Sequence, residues 1–143
     1  LYKVWNTPQA GTADSDYLGI LGQVLTSGRN SRLYKRLVFD DQIATSVQSG
    51  NNEGEIGSQF LVIVTAKPGQ DLNRIEAIVD EEMAKLLRDG PTADELERAR
   101  TTVGAGFIRG SERIGGFGGK SDILAENQVF LGDPGAWKAS YSA

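Results

Sequence analysis

The chain has 143 residues and a formal net charge of −4, with 39% hydrophobic and 24% charged residues, a balance typical of one soluble globular domain with its own core. It contains no histidine and no cysteine, so it cannot furnish a Ser-His-Asp triad, a Cys-His pair, an imidazole zinc site or a thiolate cluster. The acidic balance without any long Lys/Arg cluster argues against nucleic acid and anionic membranes as partners, and the longest apolar run, residues 60–64, is strand-sized rather than membrane-spanning.

Residues 1–7 alternate like a strand that Pro8 stops. Asp14 or Ser15 is expected to cap a helix in which Tyr17, Leu18, Leu21, Val24 and Leu25 recur at helical spacing, until Gly28 supplies a left-handed stop. A second helix, capped by Asn30 or Ser31, carries Leu33, Tyr34, Leu37 and Val38 on one face and leaves Arg32, Lys35 and Arg36 to solvent. Residues 44–49 and 58–66 are rich in β-formers and flank a turn-like segment, 50–57, which predicts an antiparallel hairpin. The second of these strands is apolar on both faces and reads as interior. Val47, Leu61 and Ile63 are expected on a partly apolar face that the chain's own helices leave open.

After Pro68-Gly69, the positions Leu72, Ile75, Val79, Met83 and Leu86 mark a long amphipathic helix closed by Gly90-Pro91. Thr92-Ala-Asp-Glu95 is a capping box, and Leu96, Ala99, Val103, Phe107 and Ile108 form the expected buried stripe of the helix it starts. The next stretch, Ile114-Gly-Gly-Phe-Gly-Gly-Lys-Ser-Asp122, ends like a nucleotide-binding loop, but the first glycine of that motif would have to stand at position 114, which is isoleucine. We expect a packed helix corner instead, with Phe117 anchored in the core and Gly118 and Gly119 in the first turn of a helix reaching about residue 130. Asp133-Pro134 predicts the start of one more helix. The resulting fold class is α+β, an antiparallel-rich sheet with helices packed on one face. Because the chain opens inside a strand pattern and closes at a helix barely begun, residues 1–143 read as a single lobe excised from something longer.

Candidate chemistry is sparse. Asp40-Asp41 and the turn residues Glu53 and Glu55 lack calcium-loop spacing, and Glu81, Glu82, Glu95 and Glu97 fall on polar helix faces, so surface charge explains them best. Arg32 and Tyr34 stand behind a Gly-Arg-Asn-Ser turn and are expected to serve structure, the arginine bonding carbonyls of the preceding loop and the tyrosine filling the helix–sheet interface. No residue of the chain is a candidate catalytic, cofactor-binding or metal-ligating residue.

Three segments carry a resemblance: Gly28-Arg-Asn-Ser-Arg-Leu-Tyr34, Gln42-Ile-Ala-Thr-Ser-Val47 and Gly90-Pro-Thr-Ala-Asp-Glu-Leu96. With them, nearly the whole chain resembles the non-catalytic, C-terminal-type domain of the insulinase-like zinc peptidases, the group of pitrilysin and mitochondrial processing peptidase. The resemblance implies a lobe paired with a homologous lobe that carries His-x-x-Glu-His and the zinc, together enclosing a peptide substrate. It also places Val38 and Thr45 where many such lobes bear an arginine and a tyrosine that approach the substrate, so this chain departs from the pattern at both. The function implied is a structural and substrate-enclosing lobe of a zinc metalloendopeptidase, with no cofactor in this chain and a bacterial-type, periplasmic or secreted parent favoured. The alternatives are a structural or assembly subunit of the same family that has lost the zinc motif and, last, a nucleotide-binding module.

Overall fold

β-Branched and aromatic residues dominate Ser58–Ala66, and in the computed structural model, which describes residues 1–138, this segment is the central strand β3 of a three-stranded sheet. Strand β1, Tyr2–Thr7, pairs antiparallel with β3 so that Tyr2 lies opposite Ile63 and Thr7 opposite Ser58. Strand β2, Ala44–Asn52, pairs antiparallel on the other side, with Val47 opposite Val64 and Asn52 opposite Gln59. Successive side chains point to opposite faces. Phe60, Val62 and Val64 are therefore buried beneath the helices, while Leu61 and Ile63 are half-buried on the face the helices do not cover. Val47 departs from expectation: its partner is Val64, and it is only 4% exposed, so it belongs to the core face and not to the open one. A bulge between Ala44 and Ser46 resets the alternation of β2 and turns Thr45 outward.

Helix α1, Ala13–Thr26, is capped by Thr12, whose hydroxyl accepts from the Ser15 amide, slightly earlier than the Asp14 or Ser15 cap predicted. Its Val24 and Leu25 enter the core, whereas Tyr17, at 62% exposure, lies off the buried stripe. Gly22 sets the distance to the sheet: a Cβ there would stand 3.1 Å from both Gly50 Cα and the Ser49 carbonyl oxygen. Helix α2, Arg32–Tyr34, starts at Ser31 and runs directly into a π-helical stretch, Lys35–Asp40, that the periodicity did not announce. Leu33 and Leu37 are fully buried there, and the Asp41 amide reaches back to the Arg36 carbonyl at 3.0 Å. Helix α3, Leu72–Asp89, buries Ile75, Ile78, Val79 and Leu86 and ends at Gly90 with φ 73°. Lys3 of β1 pairs with Glu76 at 3.1 Å and with Asp80, tying the sheet's edge to α3.

Helix α4, Ala93–Glu112, begins at the predicted capping box, yet Ala99 alone of its apolar stripe is buried. Leu96, Val103 and Ile108 are 37%, 40% and 54% exposed, and Phe107 is half-buried against Trp137, with ring centroids 5.0 Å apart. The stripe meets α1 along one narrow line, so helical spacing alone overstated its burial.

The glycine-rich corner is also built differently from expectation. Phe117 is wholly exposed, and Gly118 precedes helix α5, Lys120–Leu131, with φ 75°, while Gly119 is its N-cap. The turn closes through backbone: Lys120 N–H donates to the Arg113 carbonyl at 2.8 Å and Gly119 N–H to the Gly116 carbonyl at 3.0 Å. A Cβ on Gly119 would lie 3.0 Å from the Gly115 carbonyl oxygen, so close backbone approach, not an aromatic anchor, is what the glycines permit. Phe117→Ala should accordingly change the free energy of unfolding by less than about 0.5 kcal/mol in a urea titration. Helix α5 buries none of its residues. Beyond it, Asp133 accepts from the Gly135 amide at 2.8 Å, and helix resumes only at Trp137, three residues after Pro134; its continuation past residue 138 lies outside the described residues.

Candidate interaction surface

Among the described residues no group of three or more Asp or Glu side chains could hold a metal ion, and the sequence has no histidine or cysteine to supply imidazole or thiolate ligands. Most of the carboxylates tested above are engaged with neighbours rather than clustered. Asp40 pairs with Lys35 at 2.6 Å, and Glu53 accepts from the Ser15 hydroxyl. Glu81 and Glu82 receive Lys85 at 2.8 and 3.0 Å and Arg36 at 3.3 and 3.1 Å. Glu82 is thus buried to 9% exposure rather than solvated.

Arg32 and Glu95 correct the reading of both as surface residues. The guanidinium donates from Nε and Nη2 to the two carboxylate oxygens at 2.7 and 2.8 Å, and Nη2 donates also to the Gly90 carbonyl at 3.1 Å. The arginine therefore bonds the α3–α4 connection and not the loop before α2. Its side chain is 15% exposed and that of Glu95 12%. The Thr92 amide donates to the same carboxylate at 2.8 Å, so one glutamate caps α4 and docks it onto α2. The Arg32 hydrogen bonds, opposed by burial and helped by the Thr92 amide, hold the Glu95 carboxyl down at about 2. This is a staple between helices; Tyr34 beside it packs against the core, as predicted.

Thr45 and Val38 place no charged or aromatic group at the positions where the resemblance would put an arginine and a tyrosine. Thr45 is the bulged residue of β2 and donates its hydroxyl to the Thr65 carbonyl at 3.1 Å, and Val38 packs half-buried against the core.

What remains is the uncovered face of the sheet. Its outward positions are Tyr2, Val4 and Asn6 on β1 against Ile63, Leu61 and Gln59 on β3. Across the other ladder, Gln48 faces Ile63, Gly50 faces Leu61 and Asn52 faces Gln59. None of these residues is charged, although 24% of the chain is. At the hairpin end, this face opens into a cleft of about 350 Å³ whose walls include Asn6, Asn52, Glu53 and Gln59. Sequence reasoning found Leu61 and Ile63 but not the amides, because three separate strands contribute them and only the register brings them into line.

The sequence pattern of the peptidase M16 inactive domain matches residues 1–103. The chain belongs to the M16 peptidase inactive-domain family. No curated protein matches the sequence. Among solved structures, a protease from Helicobacter pylori superposes with a TM-score of 0.84 at 22% identity, covering 99% of this chain and 33% of that one. A proposed zinc protease from Bordetella pertussis Tohama I gives 0.78 at 20% identity, covering 99% and 76%. A peptidase M16 inactive domain from Pseudomonas fluorescens gives 0.77 at 18% identity, covering 98% and 32%. The chain thus spans about a third of the length of two of these relatives. At such identities the likeness establishes the α+β fold with helices on one face of an antiparallel sheet. The exposed α4–α5 segment superposes along with the core, since nearly the entire chain is covered.

Proposed function

We propose that this M16 inactive domain is the structural and substrate-enclosing lobe of a zinc endopeptidase, with zinc held by a homologous lobe outside residues 1–143. The observation that carries this reading is the open sheet face, whose paired strand positions carry no charge and which has half-buried Leu61 and Ile63 at its centre. A lobe that only floated in solvent gains nothing from such a face, whereas a wall against another lobe or a peptide does. The absence of histidine and cysteine supports a division of labour in which the metal and its water-activating glutamate come from elsewhere and this lobe contributes shape. Val38 and Thr45 support the same division, because valine has no polar group and the threonine hydroxyl is committed to the Thr65 carbonyl, so neither offers the charge stabilisation of an arginine or a free phenol.

The parent protein tests this directly. Deleting residues 1–143 from it should leave zinc content unchanged by elemental analysis and abolish peptide hydrolysis, and the separate chain added back should restore activity. Hydrolysis that persists without the lobe overturns the enclosing role, and zinc that departs with the lobe overturns the assignment of the metal to another one.

A further inference from the structure

Asn6, Gln59 and Asn52 stand directly opposite one another across β1, β3 and β2, which makes a transverse row of three amide side chains at the hairpin end of the open face. All three are exposed, and none makes a side-chain hydrogen bond to another described residue. Neighbouring strands are about 4.8 Å apart, so the row spans about 10 Å and offers an acceptor and two donors at each step. The next row toward the sheet's middle is Val4, Leu61 and Gly50. A Cβ built on Gly50 would meet nothing within 4 Å, which leaves an open notch beside Leu61. Its floor is closed, because α1 approaches Gly50 from below at Gly22. Polar row and apolar notch thus adjoin on one uncharged surface. The carboxylate at the rim, Glu53, is engaged by the Ser15 hydroxyl.

We propose that this row and notch are a binding site for an uncharged, extended peptide segment, its backbone amides on Asn6, Gln59 and Asn52 and one apolar side chain over Gly50. Side-chain amides complement peptide N–H and C=O groups equally, and about three extended residues match the length of the row. The strand positions of the face carry no positive charge and the Glu53 carboxylate stands at its rim, which selects against acidic segments, whose desolvation nothing here would offset. A sugar is the poorer fit, because the nearest aromatic on this face, Tyr2, lies four residues along β1 from Asn6, about 13 Å away. The inference deepens the enclosing role proposed above and rests on it for its biological setting, but its test needs neither zinc nor the other lobe.

The probe is an acetylated, amidated pentapeptide of serine and asparagine with one central leucine, titrated into the 143-residue chain while side-chain amide resonances are followed by NMR. Saturable shifts at Asn6, Asn52 and Gln59 are expected. Gly50→Val, which fills the notch on an already extended strand, should weaken binding by about tenfold, the value of one lost apolar contact. Gln59→Ala should weaken it severalfold at unchanged backbone dispersion, and replacing the peptide's leucine by aspartate should abolish it. Three results would overturn the proposal: affinity indifferent to Gly50→Val and Gln59→Ala, the same shifts produced by a neutral disaccharide, or shifts that grow with protein concentration alone and so reveal a second copy on the face. Failure here with activity still dependent on the lobe in the parent would sink this site and leave the enclosing role standing.

Discussion

Glu95→Ala should lower the free energy of unfolding by about 3 kcal/mol at neutral pH, because it strands the largely buried Arg32 guanidinium and removes the cap of α4 together. The geometry behind this is specific: two oxygens receive two guanidinium N–H groups at 2.7 and 2.8 Å while the Thr92 amide adds a third bond at 2.8 Å. Acid should reproduce the loss. The folded-state carboxyl sits at about 2, below its ordinary 4.5, so its contribution is complete above pH 4.5 and disappears as pH falls toward 2. The shift corresponds to about 3 kcal/mol. Urea titrations of the wild type and Glu95→Gln between pH 7 and pH 2 should therefore converge as pH falls. A gap that stays constant across that range would show that the carboxylate's charge contributes nothing to the staple.

Leu37→Ala should cost about 3 kcal/mol, the middle of the range for deleting a fully buried leucine. Leu37 is 0% exposed in the π-helical stretch and packs with the buried core that includes Leu33 and β3 residues Val62 and Val64. The widened turn hands the chain directly to β2: the Ile43 amide bonds the Leu37 carbonyl at 3.0 Å, and Gln42 takes φ 52° just before the strand. Leu87→Ala on α3 is the matched comparison, since that side chain is 80% exposed and should change stability by less than about 0.5 kcal/mol. Equal effects of the two substitutions on the urea midpoint would contradict the placement of the core.

Local signals fixed most of the elements and few of their contacts. The hairpin, the central position of β3 and the capping box were legible because each depends on residues close in sequence: β-formers around a turn, an apolar run on both faces, threonine three residues before glutamate. The Arg32–Glu95 staple was not, since its partners are 63 residues apart and both look like solvent residues by helical phase. The core-facing side of Val47 is not legible locally, because strand register follows from pairing and the hairpin sets Val47 opposite Val64. A packed helix corner predicts Phe117 in the core, but a corner closed by backbone hydrogen bonds has no need of an anchor and leaves the ring outside. The amide row failed to show for the same reason as the staple: Asn6, Asn52 and Gln59 are unremarkable one at a time and become a surface only in register.

The role proposed for this M16 inactive domain is to shape a peptide environment while another lobe performs the chemistry. The most direct measurement is zinc stoichiometry and peptide hydrolysis on the isolated chain after chelator treatment and dialysis against zinc-containing buffer. The account predicts far less than one zinc per chain and no hydrolysis above buffer, because nitrogen and sulfur donors are wanting. One tightly held zinc per chain, with cleavage of peptide that disappears on chelation, would contradict it.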